Sequence, residues 1–336
     1  MRRRILLLSV SAAIALPVLA VFAVGFGGAP IAFADVWGTI LAHFGLGTPP
    51  LEPINDALVW ERRVPRVITA IAVGAGLALC GAVMQSVTRN PLADPYLLGL
   101  SSGAALGAVS VVLLGIALAL PVAAFAGALL ALFLTLGLAR SVGRITPATT
   151  VLAGIAVSAL ASALTSLVLF WTVTGDSYRE IIGWLLGTLA GARWEAVALS
   201  WAAVAVVGIP LMLSAKTLDA FAFGETHAAS LGIHVPRSRA LLLTATALLT
   251  GVLVSIAGSI GFVGLVVPHA VRLLVGPGHR ALLPLSAALG GGVLLLADTL
   301  ARTAFEPREL PVGVITALIG APIFAFLLIQ SRRAQS

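Results

Sequence analysis

Apolar residues occupy this chain in long runs, and short polar segments separate the runs. A helix needs about 20 predominantly apolar residues to cross the hydrocarbon core of a bilayer. By that measure the pattern predicts ten membrane-spanning helices, at about 5–27, 64–84, 96–117, 120–139, 147–172, 196–214, 239–257, 259–274, 282–301 and 312–330. The eighth run is short and contains Pro268, so we expect a bent or only part-spanning helix there.

The first run follows three arginines and also has the form of a secretory signal sequence, with a basic start and an apolar segment. Its apolar segment is longer than a signal usually has, no small-x-small cleavage site ends it, and further spans follow. We therefore expect the first run to stay in the protein as a membrane anchor.

The composition agrees with a membrane protein. Only 10% of the 336 residues are charged and 60% are hydrophobic, whereas soluble domains carry roughly a quarter charged residues. This argues against soluble enzymes, nucleic-acid binders and secreted modules. The single cysteine, Cys80, excludes an intramolecular disulfide bond and a metal site of several thiolates. We predict an all-α polytopic membrane protein whose single domain covers residues 1–336.

The basic residues predict the orientation, because cytoplasmic loops carry an excess of Lys and Arg. With the N-terminus in the cytoplasm, 13 of the 20 basic residues lie on the cytoplasmic side, and an even number of spans places the C-terminus there too. These 13 are Arg2, Arg3, Arg4, Arg89, Arg140, Arg144, Lys216, Arg237, Arg239, Arg272, Arg280, Arg332 and Arg333. Arg63, Arg66 and Arg302 lie on the outer side, against this rule.

Two cytoplasmic segments have distinctive patterns. Between the second and third spans, Arg89-Asn90-Pro91-Leu92-Ala93-Asp94-Pro95 predicts an extended, non-helical turn. In the inner loop 215–238, Gly224 can begin a two-turn helix, Glu225 favours its first turn and Gly232 can end it, with Ala228 and Leu231 on one face. Such a helix is either a solvated connector or a segment that docks into the groove of a cytosolic partner.

The remaining chemistry is sparse. Asp298 and Arg302 have the i,i+4 spacing of an ion pair. A proton relay would need more than this one acid, so we favour the ion pair. The five histidines lack metal-ligand spacing, and the Gly-x-x-x-x-Gly-Lys-Ser/Thr phosphate loop is absent. We expect no catalytic residue, no bound metal and no cofactor in this chain, so energy must come from a partner or from an ion gradient.

The motifs together resemble the FecCD-type iron-chelate and cobalamin permease family, the transmembrane subunits of type II ABC importers. The resemblance runs from about Val59 to Arg333. It is carried by Arg63-Val64-Pro65-Arg66, Arg89 to Pro95, Gly99-Leu100-Ser101-Ser102-Gly103, Gly261 to His269, Ala297 to Arg302, and Leu310 to Thr316 with Gly320-Ala321-Pro322.

The resemblance implies a homodimer that works with two cytosolic ATPase subunits, which hold ATP and Mg, and with an extracytoplasmic substrate-binding protein. The fifth and tenth spans would line the pathway at the dimer axis. The implied site residues fall into three groups: coupling to the ATPase at Gly224, Glu225, Ala228, Leu231 and Gly232; a cytoplasmic gate at Asn90, Pro91, Leu92, Thr146, Pro147 and Ala148; and docking of the binding protein at Arg63, Arg66 and Arg302. Pro147 and Ala148 depart from the small hydroxyl residues expected at the gate.

We therefore expect the permease subunit of an ATP-driven importer in the bacterial cytoplasmic membrane. The substrate would be a metal chelate, with ferric siderophore or haem ahead of cobalamin because most members of the family carry iron. One alternative is a secondary transporter driven by an ion gradient, which would need buried acids or an unwound ion site. The other is an intramembrane enzyme, for which Ser101, Ser102 and His269 are the candidate groups.

Overall fold

The computed structural model describes residues 2–27, 29–114, 119–143, 146–172, 177–305 and 308–333. Every regular element in these ranges is helical. The helices are α1 (Arg2–Gly25), α2 (Phe33–His43), α3 (Pro53–Leu58), α4 (Val64–Val87), α5 (Leu100–Leu114), α6 (Leu120–Ser141), α7 (Pro147–Thr172), α8 (Ser177–Leu185), α9 (Trp194–Ala203), α10 (Ile209–Leu213), α11 (Ala215–Ala222), α12 (Glu225–Ser230), α13 (Val235–Ala257), α14 (Val263–Val275), α15 (His279–Thr303) and α16 (Val312–Arg333). Single π-helical turns at Val59–Arg63 and Val204–Gly208 continue into α4 and α10.

Each predicted span overlaps an apolar helix or, for the sixth, α9 and α10 and the turn between them, and residues 115–117 of the third span lie outside the described residues. By length and composition, seven described helices can cross a membrane, and three others are shorter: those of the third, eighth and tenth runs. The third helix begins at Leu100 and not at 96, because Pro95–Leu98 forms a 3-10 turn that ends at Gly99 with φ 80°. The eighth, α14, has 13 residues, in agreement with the short helix that the sequence predicts.

The helix α4 forms the centre of the bundle, and almost all of its residues are buried. It lies against α13, α14 and α15, and α1 packs on the outside of α15. Glycines allow this close approach. A methyl group added at Gly74 would overlap the carbonyl of Gly290 in α15, and one at Gly81 would overlap Gly264 in α14. Small residues have this role in membrane bundles, as the sequence pattern predicts.

The helices α7 and α16 lie at the periphery of the helix bundle. Helix α7 packs on α5 and α6, and α16 packs on α14 and α15. Their remaining surfaces are apolar and exposed, as at Phe170 (86% exposed), Trp171 (79%), Leu318 (65%) and Phe326 (65%). These are the fifth and tenth predicted spans.

Two connections that are not α-helical contact each other inside the bundle: the one between α4 and α5 and the one between α13 and α14. The Tyr96 hydroxyl donates a hydrogen bond to the carbonyl of Ile260 at 3.0 Å and accepts one from its N–H at 3.2 Å. The hydroxyls of Ser101 and Ser259 lie 2.7 Å apart. Such backbone is tolerated at membrane depth where protein groups satisfy it.

We name the two ends of the bundle by their residues. The arginine end is where α4 begins and α15 ends, near Arg66 and Arg302. The short-helix end is where α4 ends and α15 begins, beside α11 and α12. The sequence predicts that the short-helix end faces the cytoplasm.

Candidate functional sites at the two ends of the bundle

At the short-helix end, the structure confirms the predicted helix in the inner loop. Helix α12 begins at Glu225 directly after Gly224, whose φ is 107°, and Gly232 follows it with φ 80°. L-residues with a side chain rarely adopt such φ values, so glycine is the residue suited to both positions. The two glycines therefore set the start and end of α12.

Ala228 and Leu231, which the sequence predicts on one face of this helix, differ in burial. Ala228 is fully buried against the rest of the chain, whereas Leu231 is 61% exposed. Leu231 is the capping residue that follows the last helical residue of α12. The second exposed apolar side chain here is Phe223, 78% exposed, whose ring meets the His227 ring edge-on. Phe223 and Leu231 therefore form the exposed apolar surface beside α12.

Glu225 ties α12 to α13. Its carboxylate accepts a hydrogen bond from the Arg239 guanidinium at 2.5 Å, and Arg239 also lies over the Phe221 ring, 5.7 Å from its centre. The Arg239 side chain is 6% exposed and that of Glu225 is 40% exposed. Glu225 is thus engaged within the chain and is not a free acid on the surface.

A second polar connection at this end was missed by the sequence analysis. The Asp219 carboxylate in α11 lies 2.7 Å from His279 Nδ1, and His279 Nε2 hydrogen-bonds to the hydroxyl of Ser86. Asp219, His279 and Ser86, which we call the histidine chain, come from α11, α15 and α4. No local sequence pattern could reveal it, because its members stand 133 and 60 residues apart along the chain.

The predicted gate residues also lie at the short-helix end. Asn90, Pro91 and Leu92 are exposed, and the Asn90 side chain accepts a hydrogen bond from the Leu92 N–H at 2.9 Å. This contact forms the turn that the sequence predicts. A little further on, burial raises the pKa of Asp94 to about 6, although the N–H of Tyr96, 2.8 Å away, stabilises the carboxylate.

The second gate segment begins α7. Thr146 caps the helix, because its hydroxyl accepts a hydrogen bond from the Thr149 N–H at 3.2 Å. Pro147 occupies the first helical position, where its missing N–H is no disadvantage, and Ala148 is exposed. The departure from hydroxyl residues at 147 and 148 therefore suits a helix start.

At the arginine end, Arg66 pairs with two acids. Its Nε lies 3.0 Å from both carboxylate oxygens of Asp298, and its Nη1 lies 2.7 Å from Glu309. Arg302 Nε lies 3.7 Å from Asp298, which confirms the predicted i,i+4 ion pair. The Asp298 side chain is fully buried, so these cations compensate a charge that would otherwise be very unfavourable there.

Arg63 and Arg302 hold the C-terminal end of α1. Arg302 donates to the carbonyls of Ala23 at 2.6 Å and Phe26 at 2.8 Å. Arg63 donates to the carbonyl of Gly25 at 3.3 Å. The last carbonyls of a helix have no partners within it and attract cations. The two arginines therefore anchor α1 to the bundle.

Arg63, Arg66 and Arg302 are thus 5%, 8% and 2% exposed and already have partners within the chain. With Asp298 and Glu309 they form what we call the arginine cluster. Side chains of this cluster border an open cavity of about 480 Å³, which is also lined by the exposed Arg62. The structure brings the three predicted docking residues together, but as buried groups that border this cavity.

The candidate enzyme groups do not form a catalytic arrangement. The Ser101 hydroxyl bonds to Ser259, and that of Ser102 lies 3.4 Å from Ser162, so neither of these hydrogen bonds involves His269. Among the described residues, no three His, Cys, Asp or Glu side chains are grouped as metal ligands.

Comparisons with known proteins point to transport. The model of the FecCD transport family matches residues 15–330. The chain is 47% identical over 276 residues to the "Cobalamin import system permease protein BtuC" of Halobacterium salinarum, which covers 81% of this chain and 73% of that one. It is 41% identical over 285 residues to the "Vitamin B12 import system permease protein BtuC" of Citrobacter koseri, covering 83% and 85% of the two chains.

Solved structures agree. A metal-chelate type ABC transporter in an inward-facing conformation matches with a TM-score of 0.81 and 32% identity, covering 96% of this chain and 98% of the other. The PsaBC structure from Streptococcus pneumoniae matches with a TM-score of 0.61 at 18% identity, covering 82% and 93%, and supports the fold alone.

Proposed function

The chain belongs to the FecCD transport family and is a multi-pass membrane permease of the ABC importer type; from that premise we propose that it forms the translocation pathway for a corrinoid such as cobalamin. The choice of substrate rests on one observation, the similarity to permeases named for cobalamin and vitamin B12 import. This moves the proposal away from the ferric siderophore or haem that the sequence alone favoured.

The proposed pathway lies between two copies of the chain. The apolar surfaces of α7 and α16 are exposed in one copy, and a second copy would cover them. A cavity of about 610 Å³ beside α16 is lined by small and apolar residues, among them Ser259, Gly261, Gly313 and Ala317. A wall without charges would hold a bulky substrate weakly, as a conducting pathway requires.

The proposed ATPase contact is the surface around α12. Phe223 and Leu231 would enter a groove of the ATPase, and Gly224 and Gly232 would shape the helix between them. Glu225 and Ala228 would act inside the chain, where Glu225 binds Arg239 and Ala228 is buried. ATP and Mg would be bound by the ATPase subunits and not by this chain.

The proposed contact with a substrate-binding protein is the cavity at the arginine end. Acidic side chains of that protein would meet Arg62 at the rim and approach Arg63, Arg66 and Arg302. The Glu309 side chain is 44% exposed, so it is the partner of Arg66 that an incoming carboxylate can replace. Rim charges of this kind set the encounter rate and the docking register. We further propose that Asn90 to Leu92 and Thr146 to Ala148 form the gate toward the cytoplasm.

A secondary transporter is the weaker candidate. Its ion-coupling acid would be Asp298, which is already neutralised by Arg66 and Arg302. Transport that stops when a proton or sodium ionophore is added, and that needs no ATP, would favour it.

The proposed assembly is tested by co-purification from membranes. We expect the wild-type chain to bring down an ATPase subunit, and Phe223→Asp with Leu231→Asp to lose it, because charge would enter an apolar groove. Leu213→Asp, which introduces one aspartate at another exposed apolar side chain, is the control and should retain the ATPase. Equal recovery of the ATPase with all variants would contradict the contact.

The corrinoid is tested with the substrate-binding protein that co-purifies with the complex. We expect it to bind cyanocobalamin in preference to haem and to ferric siderophores, measured by calorimetry with each ligand. Preference for an iron chelate would contradict the proposal of a corrinoid substrate, while the assignment as an ABC importer would remain in place.

A further inference from the structure

The N-terminus of α15 is capped by a different helix. Gly278 precedes α15 and has no side chain that could bind the free N–H groups of the first turn. Asp219 of α11 supplies that acceptor, because its Oδ1 lies 2.9 Å from the backbone N of His279 and 2.7 Å from Nδ1 of the ring. A carboxylate at a helix N-terminus also interacts favourably with the helix dipole. One carboxylate thus fixes both the backbone and the ring of His279.

The ring of His279 also forms a hydrogen bond to α4. A carboxylate can only accept hydrogen bonds, so Nδ1 must carry a proton. In the neutral ring Nε2 is then an acceptor, and the one hydroxyl proton of Ser86, in the last turn of α4, is shared between Nε2 and the carbonyl of Ala82. The ring is 2% exposed and Ser86 is 5% exposed. The histidine chain therefore joins α11, α15 and α4 through one part-exposed carboxylate and two buried groups.

The same three residue types form the catalytic triad of many hydrolases, but the surroundings here do not suit catalysis. Ser86 lies within a helix, and its Oγ is also 2.8 Å from the carbonyl of Ala82. With Ser86 and His279 this deeply buried, no substrate can reach the hydroxyl. A connecting role fits the burial better than a chemical one.

The histidine chain joins the short helix α11 to a pair of long helices that are held together along their length. Helices α4 and α15 touch through backbone at Gly74 and Gly290, and Arg66 joins Asp298 near their other end. The interval from Arg66 to Ser86 spans about 30 Å at about 1.5 Å per residue, so this pair extends through most of the bundle. Helix α11 is short, but Leu218 and Phe221 are buried in the same core.

We propose that the histidine chain transmits the displacement of α11 to the α4–α15 pair during transport, with His279 as the positioning residue. This inference rests on the proposed function, in which an ATPase moves the short helices. Packed helices shift as rigid bodies, and the hydrogen bonds that Asp219 accepts from the backbone and ring of His279 make α11 and α15 move together. The Glu225–Arg239 pair ties α12 to α13 in the same way, so each short helix has its own polar connection to the bundle.

The test compares cobalamin uptake per ATP hydrolysed in proteoliposomes that hold the complete complex and receive cyanocobalamin from its binding protein. We expect His279→Leu to lower this ratio about tenfold, within the range of coupling between sites, while ATP hydrolysis continues. Asp219→Asn keeps an oxygen that can accept from the backbone and from Nδ1, so we expect a ratio within about twofold of wild type, whereas Asp219→Ala should follow His279→Leu.

Ser86→Ala provides a milder variant if His279→Leu does not assemble. It removes one hydroxyl, and its matched control is Ser286→Ala in α15. Ser286 is fully buried, and its hydroxyl has no hydrogen-bond partner among the described residues. We expect Ser86→Ala to lower uptake per ATP about threefold or more and Ser286→Ala to leave it unchanged.

Two results would overturn the inference. One is an unchanged ratio in Ser86→Ala and in Asp219→Ala. The other is a parallel loss of uptake and ATP hydrolysis at constant ratio, which indicates a merely structural role. If wild-type complex shows no ATP-dependent uptake, the proposed function itself fails, and that result is distinguishable because it appears before any variant is compared.

Discussion

Helices α4 and α15 are held together by buried polar groups at both ends, and the two sets of groups differ in kind. The arginine cluster at one end consists of charged groups around the fully buried Asp298. The histidine chain at the other end has one carboxylate, 38% exposed, and two groups that can be neutral. Removing one partner leaves a buried unpaired charge in the first case and an unsatisfied hydrogen bond in the second. The first end is therefore the rigid anchor, and the second can tolerate a change of partner.

The difference fits what each end is proposed to do. The arginine cluster also anchors α1 through Arg302 and Arg63, so it maintains the assembly of three helices. The histidine chain joins the bundle to α11, which precedes the exposed α12. An end that receives motion from a partner needs a connection whose loss does not unfold the protein.

The comparison predicts its largest effect at Asp298. Asp298→Ala leaves the 10%-exposed Arg66 side chain without its main partner, and we expect a loss of about 3–5 kcal/mol in the free energy of unfolding. Thermal unfolding in detergent measures it. The double variant Arg66→Leu with Asp298→Leu should be less destabilised than the sum of its single variants. Simple additivity would contradict the ion pair.

The next effect tests the close contact between helices. Gly81→Ala would force the backbone of α4 away from Gly264 of α14, and we expect it to lose about 1–3 kcal/mol of stability. Gly137→Ala in α6 has open space around the new methyl group and should be neutral or stabilising by up to about 1 kcal/mol. If the two variants unfold at the same temperature, the close contact between Gly81 and Gly264 is contradicted.

At the histidine end we expect a smaller loss. Ser86→Ala removes a neutral hydrogen bond, so the free energy of unfolding should fall by about 0.5–1.5 kcal/mol. Unfolding measured beside Asp298→Ala compares the two ends directly. A loss as large as that of Asp298→Ala would mean that the two ends do not differ as proposed.

The smallest effect concerns the rim of the arginine-end cavity. Arg62 is exposed, so Arg62→Gln should leave stability unchanged and weaken binding of the substrate-binding protein by about 0.2–1 kcal/mol. Surface plasmon resonance at low and high salt measures this, and the difference should shrink as salt rises. If the Arg62→Gln variant binds the substrate-binding protein as tightly as wild type at low salt, Arg62 is not part of the docking surface.

The sequence predicts much of the fold because membrane helices are local features. The ten apolar runs, the helix between Gly224 and Gly232 and the pair of Asp298 with Arg302 all follow from spacing along the chain. Gly99 and the 3-10 turn before it shift the start of α5, which hydropathy does not register. Ala228 could not be placed from the sequence, since its burial depends on how α12 sits on the bundle.

The functional residues were harder to predict because they depend on contacts between distant segments. The orientation rule singled out Arg63, Arg66 and Arg302, but their sequence positions do not indicate that they are buried against α1 and Asp298. Ser86, Asp219 and His279 resemble ordinary helix-end residues until the fold brings them together.

ATP-driven uptake of radiolabelled cyanocobalamin by proteoliposomes tests the proposed function most directly. The complete complex is reconstituted, with ATP and Mg on the side of the short helices and the substrate-binding protein on the other side. We predict uptake that requires both ATP and the binding protein and that continues when ionophores collapse the ion gradients. Uptake that needs no ATP and stops with the ionophores, or the absence of cobalamin uptake from an ATP-hydrolysing complex, would contradict the proposal.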